Sequence, residues 1–254
     1  MQLTLNFDAP APVELPVHYG PLIQGMLYHR MENPLLRNYL HEQGFQFEKR
    51  RFKLFTFSRL TGKELRFNRR ERRLVLTPPL KLIVCSPIPF ILQELGTGFL
   101  RQGSVRIGPA RLTVKGITTA QPRVEGDRIH VSMLSPMTVY STLPTADGRK
   151  YTYYFSPFEP KFSEIVRDNL VKKHLLVHAG PPLSDFFSIK PLKVTEQDHK
   201  ITRYKGFIVK GWMGTYELQG DPGLLKIALT TGLGAKNSQG YGCCCPYQKP
   251  EVEK

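Results

Sequence analysis

The first half of this 254-residue chain switches between the two-residue hydrophobic period of strands and the longer period of helices. Residues 1–7 alternate strictly between apolar and polar side chains, which predicts a half-buried strand. A helix is predicted after Pro16, and a second short helix follows the capping residue Asn33 and ends at Gly44. Further strands are predicted over residues 52–60, 73–77 and 111–118, and a helix over residues 87–100. The predicted order is therefore β-α-β-β-α-β.

The second half repeats this order with little sequence similarity to the first. Strands are predicted at 129–134, 139–140 with 151–155, 186–194 and 204–212, and helices begin near Ser156 and Asp221. Two copies of β-α-β-β-α-β predict an α+β protein of two tandem ferredoxin-like domains, a topology shared with RNA-recognition modules. We place the domains at residues 1–122 and 127–254, because Pro122 and Gly126 interrupt the periodicity between them.

The charge balance indicates a polyanionic partner. Lys and Arg number 36 against 21 acidic residues, which gives a net charge of +15 and a pI near 9.8. Such an excess attracts nucleic acid through long-range steering and counterion release. The hydrophobic content of 41% indicates a folded chain rather than a basic disordered tail. Because no apolar stretch approaches the ~20 residues of a membrane span, we expect a cytoplasmic protein with no membrane partner.

The four cysteines do not predict a metal site. Cys85 stands alone and Cys243, Cys244 and Cys245 are consecutive, so the chain lacks both the C-x-x-C spacing of zinc sites and a disulfide framework. This usage is typical of a reducing compartment. We expect the three consecutive cysteines to fill part of a terminal strand, and we predict neither a bound metal nor a cofactor.

Basic residues are concentrated between residues 49 and 73, where eleven Lys and Arg face two acids, a net of +9. We interpret this segment as one basic hairpin. A run of like charge is usually a solvated surface, but such surfaces mix both signs more evenly than this segment does. Arginine predominates, and its planar fork suits phosphate oxygens. The predicted RNA contacts in this segment are Lys49, Arg50, Arg51, Arg66, Arg69, Arg70, Arg72 and Arg73.

A glycine-rich segment, residues 232–242, follows the last predicted helix. Four glycines in eleven residues can turn backbone amides toward one anion, and Lys236 adds a mobile positive charge. The order differs from that of a nucleotide triphosphate loop. An ordinary glycine-rich turn is the alternative. In view of the basic composition, we predict that Gly234, Lys236, Ser238 and Gly240 contact an RNA backbone.

His41 is the histidine best placed for chemistry. It lies at the end of the short predicted helix, where the helix dipole favours the protonated imidazole, and about a dozen residues before Lys53. His41 could transfer a proton, contact phosphate or simply cap the helix, and the residues alone do not decide among these roles. His29 follows Tyr28 directly and is expected to face solvent.

Three segments and the glycine-rich loop together resemble the Cas6 endoribonucleases of CRISPR systems. They are Ile-Gln-Gly-Met-Leu-Tyr at 23–28, Tyr-Leu-His-Glu at 39–42 and Phe-Lys-Leu-Phe-Thr-Phe-Ser at 52–58, and the likeness extends over essentially the whole chain. The resemblance implies tandem ferredoxin-like domains, metal-independent cleavage within the repeats of a precursor transcript, and a catalytic trio of Tyr28, His41 and Lys53.

The expected reaction is attack of a ribose 2′-hydroxyl on the adjacent phosphorus, which gives 5′-hydroxyl and 2′,3′-cyclic phosphate ends. We assign proton transfer to His41, charge compensation to Lys53 and orientation to Tyr28, while Tyr28 and His41 could exchange the acid and base roles. The expected partner is CRISPR repeat RNA; other Cas proteins of an interference complex and a homodimer are left open. A non-cleaving RNA-binding scaffold subunit and a general basic RNA-binding protein are the alternative functions.

Overall fold

The computed structural model describes residues 1–144 and 148–247. Its first half contains ten strands and three helices, in the following order: β1 (Gln2–Asp8), β2 (Val13–Pro16), α1 (Gly20–Arg30), α2 (Pro34–Asn38), β3 (Phe45–Phe47), β4 (Arg50–Phe52), β5 (Thr56–Phe57), β6 (Glu64–Asn68), β7 (Arg73–Thr77), β8 (Leu80–Cys85), α3 (Pro89–Gln102), β9 (Ser104–Ile107) and β10 (Ala110–Ala120).

The central sheet of this half is antiparallel, with the strand order β5-β8-β1-β10-β9. The strict alternation predicted for β1 is confirmed, since Leu3, Leu5 and Phe7 are buried while the residues between them are partly exposed. These side chains pack in one core with α1 and α3, where the rings of Phe7 and Phe99 meet edge to face at 5.9 Å. The sheet thus buries one face beneath its two long helices.

The described part of the second half continues with eight strands and two helices: β11 (Arg128–Met133), β12 (Tyr140–Pro144), β13 (Lys150–Tyr154), α4 (Pro160–Val177), β14 (Phe187–Lys193), β15 (His199–Tyr204), β16 (Phe207–Trp212), β17 (Thr215–Gly220), α5 (Pro222–Thr231) and β18 (Cys244–Pro246). Short 3₁₀ turns lie at Glu196–Asp198 and Asn237–Gln239.

The two halves share one topology. The second sheet has the order β14-β17-β11-β18, and α4 and α5 pack with it in a separate core. In both sheets the four strands of the β-α-β-β-α-β motif lie side by side in the order second, third, first, fourth. The first sheet has one additional edge strand, β9. This is the antiparallel ferredoxin-like arrangement, so the predicted tandem fold is confirmed. The domain limits of 1–122 and 127–254 stay a prediction.

Two predicted strands occupy other places than expected. Residues 73–77 form β7, which pairs with β2 and β6 in a small separate sheet, and the third motif strand is β8. Likewise residues 204–212 belong to the β15–β16 hairpin, and the third motif strand is β17. The predicted motif was right, but an inserted hairpin was taken for a sheet strand in each half.

The two halves contact each other through the first sheet and the start of β18. Ile83 and Cys85 of β8 pack with Cys243, the residue before β18, and the Arg59 amide of the first half donates to the Leu134 carbonyl of the second at 2.9 Å. The consecutive cysteines do extend into the short terminal strand, as predicted, and all four cysteines are free thiols. Among the described residues no helix is both long and apolar enough to cross a membrane.

Candidate active site and nucleic-acid interface

Tyr28 lies on the buried face of α1, two residues before the helix ends. Its hydroxyl donates to the Leu40 carbonyl at 3.5 Å, and its ring meets Phe55 edge to face at 5.9 Å. The side chain is 9% exposed, and burial, reinforced by Tyr204, raises the pKa of the phenol well above its usual range. Tyr28 is therefore a neutral hydrogen-bond donor at physiological pH rather than a base.

A π-helical turn presents His41. The Asn33 side chain caps α2 as predicted, accepting from the amides of Leu35 and Leu36 at 3.0 and 3.1 Å. The chain then continues through a π-helical turn, Tyr39–Gln43, which ends at Gly44 with φ +69°. Leu40 points into the core while the His41 side chain is 59% exposed. Such turns often mark functional sites because they displace side chains from helical register.

The His41 imidazole contacts both its predicted partner and an acid. Its ring meets that of Tyr28 at 5.3 Å and 85°, and its Nδ1 lies 2.5 Å from Oε1 of Glu42. Because the carboxylate accepts only, Nδ1 carries the proton and Nε2 of the neutral ring is left to accept one. The bond to His41 is also the main reason that the pKa of Glu42 is lowered. Glu42 was not among the predicted site residues, although its adjacency to His41 was a visible signal.

Lys53 approaches the same turn from the strand side. Its Nζ donates to the His41 carbonyl at 2.9 Å. Burial lowers the pKa of the ammonium and Arg51 lowers it further, while Glu42 opposes the change. A Cβ on Gly44 would lie 2.5 Å from the Phe52 carbonyl and 2.9 Å from Cδ of Lys53, so only glycine permits this approach. The structure thus brings Tyr28, His41 and Lys53 together around one turn.

A cleft of about 690 Å³ opens beside Lys53, between β4 and the glycine-rich loop. Residues of both halves line it, including Tyr140 and five basic side chains: Arg50, Arg51, Lys53, Lys173 and Lys236. Nζ of Lys236 lies 5.3 Å from the centroid of the Tyr140 ring. A cleft with cations on both walls and an aromatic ring suits an extended polyanion with planar bases.

The glycine-rich loop packs tightly as well as facing the cleft. A Cβ on Gly234 would lie 2.5 Å from the Thr138 carbonyl, and one on Gly240 would lie 2.6 Å from the Phe57 ring. Close packing therefore explains much of the glycine content, as it would in an ordinary glycine-rich turn. Yet the amides of Lys236 and Ser238 make no hydrogen bond within the described residues and remain available to an anion.

Two contacts hold this loop against the part of the first half that carries Tyr28 and Lys53. Nε2 of Gln24, one turn before Tyr28 on α1, donates to the Ser238 carbonyl at 2.7 Å. The Thr56 hydroxyl, three residues after Lys53, donates to the Tyr241 carbonyl at 3.0 Å. Tyr28, Lys53 and the loop are thus fixed relative to one another by α1 and β5. Sequence reasoning missed Gln24 and Thr56 because only the folded chain shows what they contact.

The predicted single basic hairpin is wrong, because the chain passes through β5 into the central sheet between its two ends. Lys49, Arg50 and Arg51 belong to the β3–β4 hairpin, and the latter two line the cleft. The other predicted contacts lie on the β6–β7 hairpin or its turn: Arg66, Arg69, Arg70, Arg72 and Arg73. The basic residues therefore form two surfaces, and whether each binds RNA stays a prediction.

The described residues contain no group of three or more His, Cys, Asp or Glu side chains that could hold a metal ion. That the protein works without a metal or cofactor stays a prediction. The charges at the turn are those of Lys53, Arg51 and the Glu42 carboxylate.

Comparison with known proteins identifies the family. Residues 14–118 match the model of the CRISPR-associated protein Cas6 N-terminal region, and residues 119–245 match that of the Cas6 C-terminal region. The chain belongs to the Cas6 family. A Pyrococcus furiosus protein named CRISPR-associated endoribonuclease Cas6 is 24% identical over 243 residues, covering 92% of this chain and 84% of its own. A Methanocaldococcus jannaschii Cas6 endoribonuclease is 25% identical over 248 residues, covering 95% and 91%.

Solved structures show the same fold in related proteins. One described as a CRISPR associated protein Cas6 superposes with a TM-score of 0.80 at 23% identity, covering 98% of this chain and 99% of its own. Another, described as a RAMP protein binding different RNA substrates, gives a TM-score of 0.82 at 17% identity, covering 98% and 100%. At these identities the likeness establishes the Cas6 fold.

Proposed function

We propose that this Cas6 protein is a metal-independent endoribonuclease that cuts CRISPR precursor RNA within its repeats. The observation that carries the proposal is the convergence of Tyr28, His41 and Lys53 around one π-helical turn at the edge of a basic cleft. Relatives over nearly the whole chain are named Cas6 endoribonucleases, which supports the same reaction here.

The protonation states of the three side chains support the following roles in the reaction. His41 takes the 2′-hydroxyl proton on Nε2, because Glu42 holds the other ring nitrogen and the raised pKa of Tyr28 disfavours a phenolate. The 2′-oxygen then bonds to phosphorus. Lys53 compensates the phosphorane charge and passes a proton to the departing 5′-oxygen, a transfer helped by its lowered pKa. The P–O5′ bond breaks, leaving a 2′,3′-cyclic phosphate and a 5′-hydroxyl.

Tyr28 acts on this reaction through geometry. Its hydroxyl donates to the carbonyl preceding His41, and its ring supports one edge of the imidazole. Because a displacement of about 1 Å can slow a reaction on the order of 100-fold, this support contributes to rate without a proton transfer. Tyr28 is thus a positioning residue in this proposal.

The RNA backbone would follow the cleft, with Arg50 and Arg51 on one wall and the glycine-rich loop on the other. Lys236 and the free amides of the loop supply contacts that suit phosphate. The second basic surface, on the β6–β7 hairpin, extends the positive potential beyond the cleft. Assembly with other Cas proteins or with a second copy, and the domain limits of 1–122 and 127–254, belong to the same proposal.

Incubation with a cognate repeat RNA in EDTA tests the proposed function. A single internal cut in the repeat, with the product ends given above, is the expected result. Binding without cleavage would instead assign the protein to the scaffold class. Binding indifferent to RNA sequence would identify a general RNA-binding protein.

A further inference from the structure

A lysine of the second half is buried behind the glycine-rich loop. Lys173 lies on α4 and is 2% exposed, and its Nζ donates to the Gly232 carbonyl at 2.7 Å, to Oδ1 of Asn237 at 2.7 Å and to the Gly234 carbonyl at 3.2 Å. An ammonium has three N–H donors, and here each has an acceptor. A buried charge is tolerated only when its hydrogen bonds are satisfied in this way.

These three acceptors fix the shape of the loop. The Gly232 carbonyl lies at the end of α5, where helix carbonyls carry partial negative charge. Asn237 also donates from Nδ2 to the carbonyls of Leu233 and Tyr241, both at 3.1 Å. Lys173 and Asn237 therefore connect the beginning of the loop with its far end.

The position of Lys173 also matters for charge. Its three acceptors are uncharged oxygen atoms, so none of them cancels the ammonium, and the residue lines the same cleft as Lys53 and Lys236. In a partly enclosed site such a charge is weakly screened and contributes to the potential met by a polyanion.

We infer that Lys173 is a positioning residue for RNA binding, which holds the loop so that Lys236 and the free loop amides meet the phosphates next to Lys53. This inference rests on the proposed function and names the part of the second half on which substrate binding depends. It differs from the role of His41, which is assigned to the reaction step. Loss of Lys173 therefore affects the affinity for RNA more than the rate at which bound RNA is cleaved.

The test compares Lys173→Met with Lys172→Met in the full-length protein. Methionine keeps the length of the side chain but donates no hydrogen bond, and Lys172 is the half-buried neighbour whose replacement removes the same formal charge. Burial lowers the pKa of Lys173 to about 7, so binding is measured near pH 6, where the ammonium is charged. The readouts are the dissociation constant for repeat RNA, its salt dependence and the single-turnover rate at saturating RNA.

We expect Lys173→Met to weaken RNA binding about tenfold or more. This is the effect of losing one charge-assisted hydrogen bond between the loop and a phosphate. The slope of log affinity against log salt should fall by roughly 0.7 for each phosphate of a single strand that the loop no longer neutralises. Lys172→Met should leave the slope and the rate of bound RNA unchanged. A merely structural defect would reduce the fraction of active protein and leave the salt slope of the remainder as in the wild type, which would overturn the inference.

Asn237→Ala keeps the test decisive if Lys173→Met does not fold. It removes one acceptor of Lys173 and both bonds from Nδ2, so the same loss of affinity and salt slope is expected, and wild-type values would overturn the inference. If the unmodified protein neither binds nor cuts repeat RNA, the proposed function fails and the inference falls with it. If the unmodified protein cuts and the variants match it in affinity and salt slope, only the inference fails.

Discussion

Gly44→Ala adds a single carbon atom at the end of the turn that presents His41. Gly44 has φ +69° and ψ −171°, a region of backbone conformation that essentially only glycine adopts, and forcing another residue into it costs on the order of 1–3 kcal/mol. The added Cβ would lie 2.5 Å from the Phe52 carbonyl and 2.9 Å from Cδ of Lys53. Since ordinary contacts begin at about 3.4 Å, the end of β4 at Phe52, next to Lys53, has to move by roughly 0.9 Å.

A shift of that size separates Lys53 from the His41 carbonyl, now 2.9 Å from its Nζ. Because misplacement by about 1 Å can cost on the order of 100-fold in rate, we expect single-turnover cleavage at saturating RNA to slow by ~10–100-fold. The strain should lower the melting temperature by roughly 2–4 °C for each kcal/mol. Affinity for RNA should change less than about threefold, because no basic side chain of the cleft is removed.

Gly103→Ala is the matched control for this variant. Gly103 also has a positive φ, +60°, but a Cβ there meets nothing within 4 Å, and it lies at the end of α3 rather than in the turn that presents His41. Both variants should therefore lose stability, whereas Gly44→Ala alone should lose rate. Cleavage by Gly44→Ala at the wild-type rate, or an equal loss in Gly103→Ala, would refute the reasoning about the turn.

Substitutions at three other places test the charged groups of the site and of the second basic surface. His41→Ala should slow cleavage at least ~100-fold with affinity within a few-fold, whereas His29→Ala, at an exposed position, should behave as the wild type; equal rates for the two variants would remove His41 from the mechanism. Because the pKa of Lys53 is lowered, wild-type cleavage should decline with rising pH before the ordinary lysine value of about 10.4 is reached. Lys53→Arg stays charged, so it should cleave slowly but without this decline. A decline in both proteins would point to another group. Affinity and its salt slope should both fall when alanine replaces four arginines of the β6–β7 hairpin, and an unchanged slope would exclude that surface from RNA binding; the four are Arg69, Arg70, Arg72 and Arg73.

The sequence predicted the fold class because apolar and polar side chains alternate along strands such as β1 in step with their buried and exposed faces. It failed at β8 for a physical reason: Leu80–Cys85 is buried on both faces except at Lys81, so it lacks the alternation that identifies a strand. Residues 73–77 and 204–212 do form strands, but strand periodicity does not reveal which partner a strand pairs with. The inserted hairpins were consequently assigned to the central sheets.

The site was predictable only in part for a similar reason. The resemblance named Tyr28, His41 and Lys53, but the contacts of Gln24, Thr56 and Gly44 depend on segments that meet only in the folded chain. Lys173 did carry a signal, since it falls seven residues after buried Val166 and so lies on the apolar stripe of α4. A lysine there is easily read as a solvated charge beside Lys172, and only its three enclosed acceptors reveal another role.

The most direct test of the central claim uses two repeat RNAs that differ by one oxygen atom. Both are incubated with the wild-type protein in EDTA, and one carries 2′-deoxyribose at the nucleotide preceding the cut. The proposed mechanism predicts that the all-ribose RNA is cleaved to a 2′,3′-cyclic phosphate and a 5′-hydroxyl, while the deoxy RNA binds with similar affinity and stays intact. Cleavage of the deoxy RNA at the same position would contradict attack by the 2′-hydroxyl and, with it, the roles assigned to His41 and Lys53.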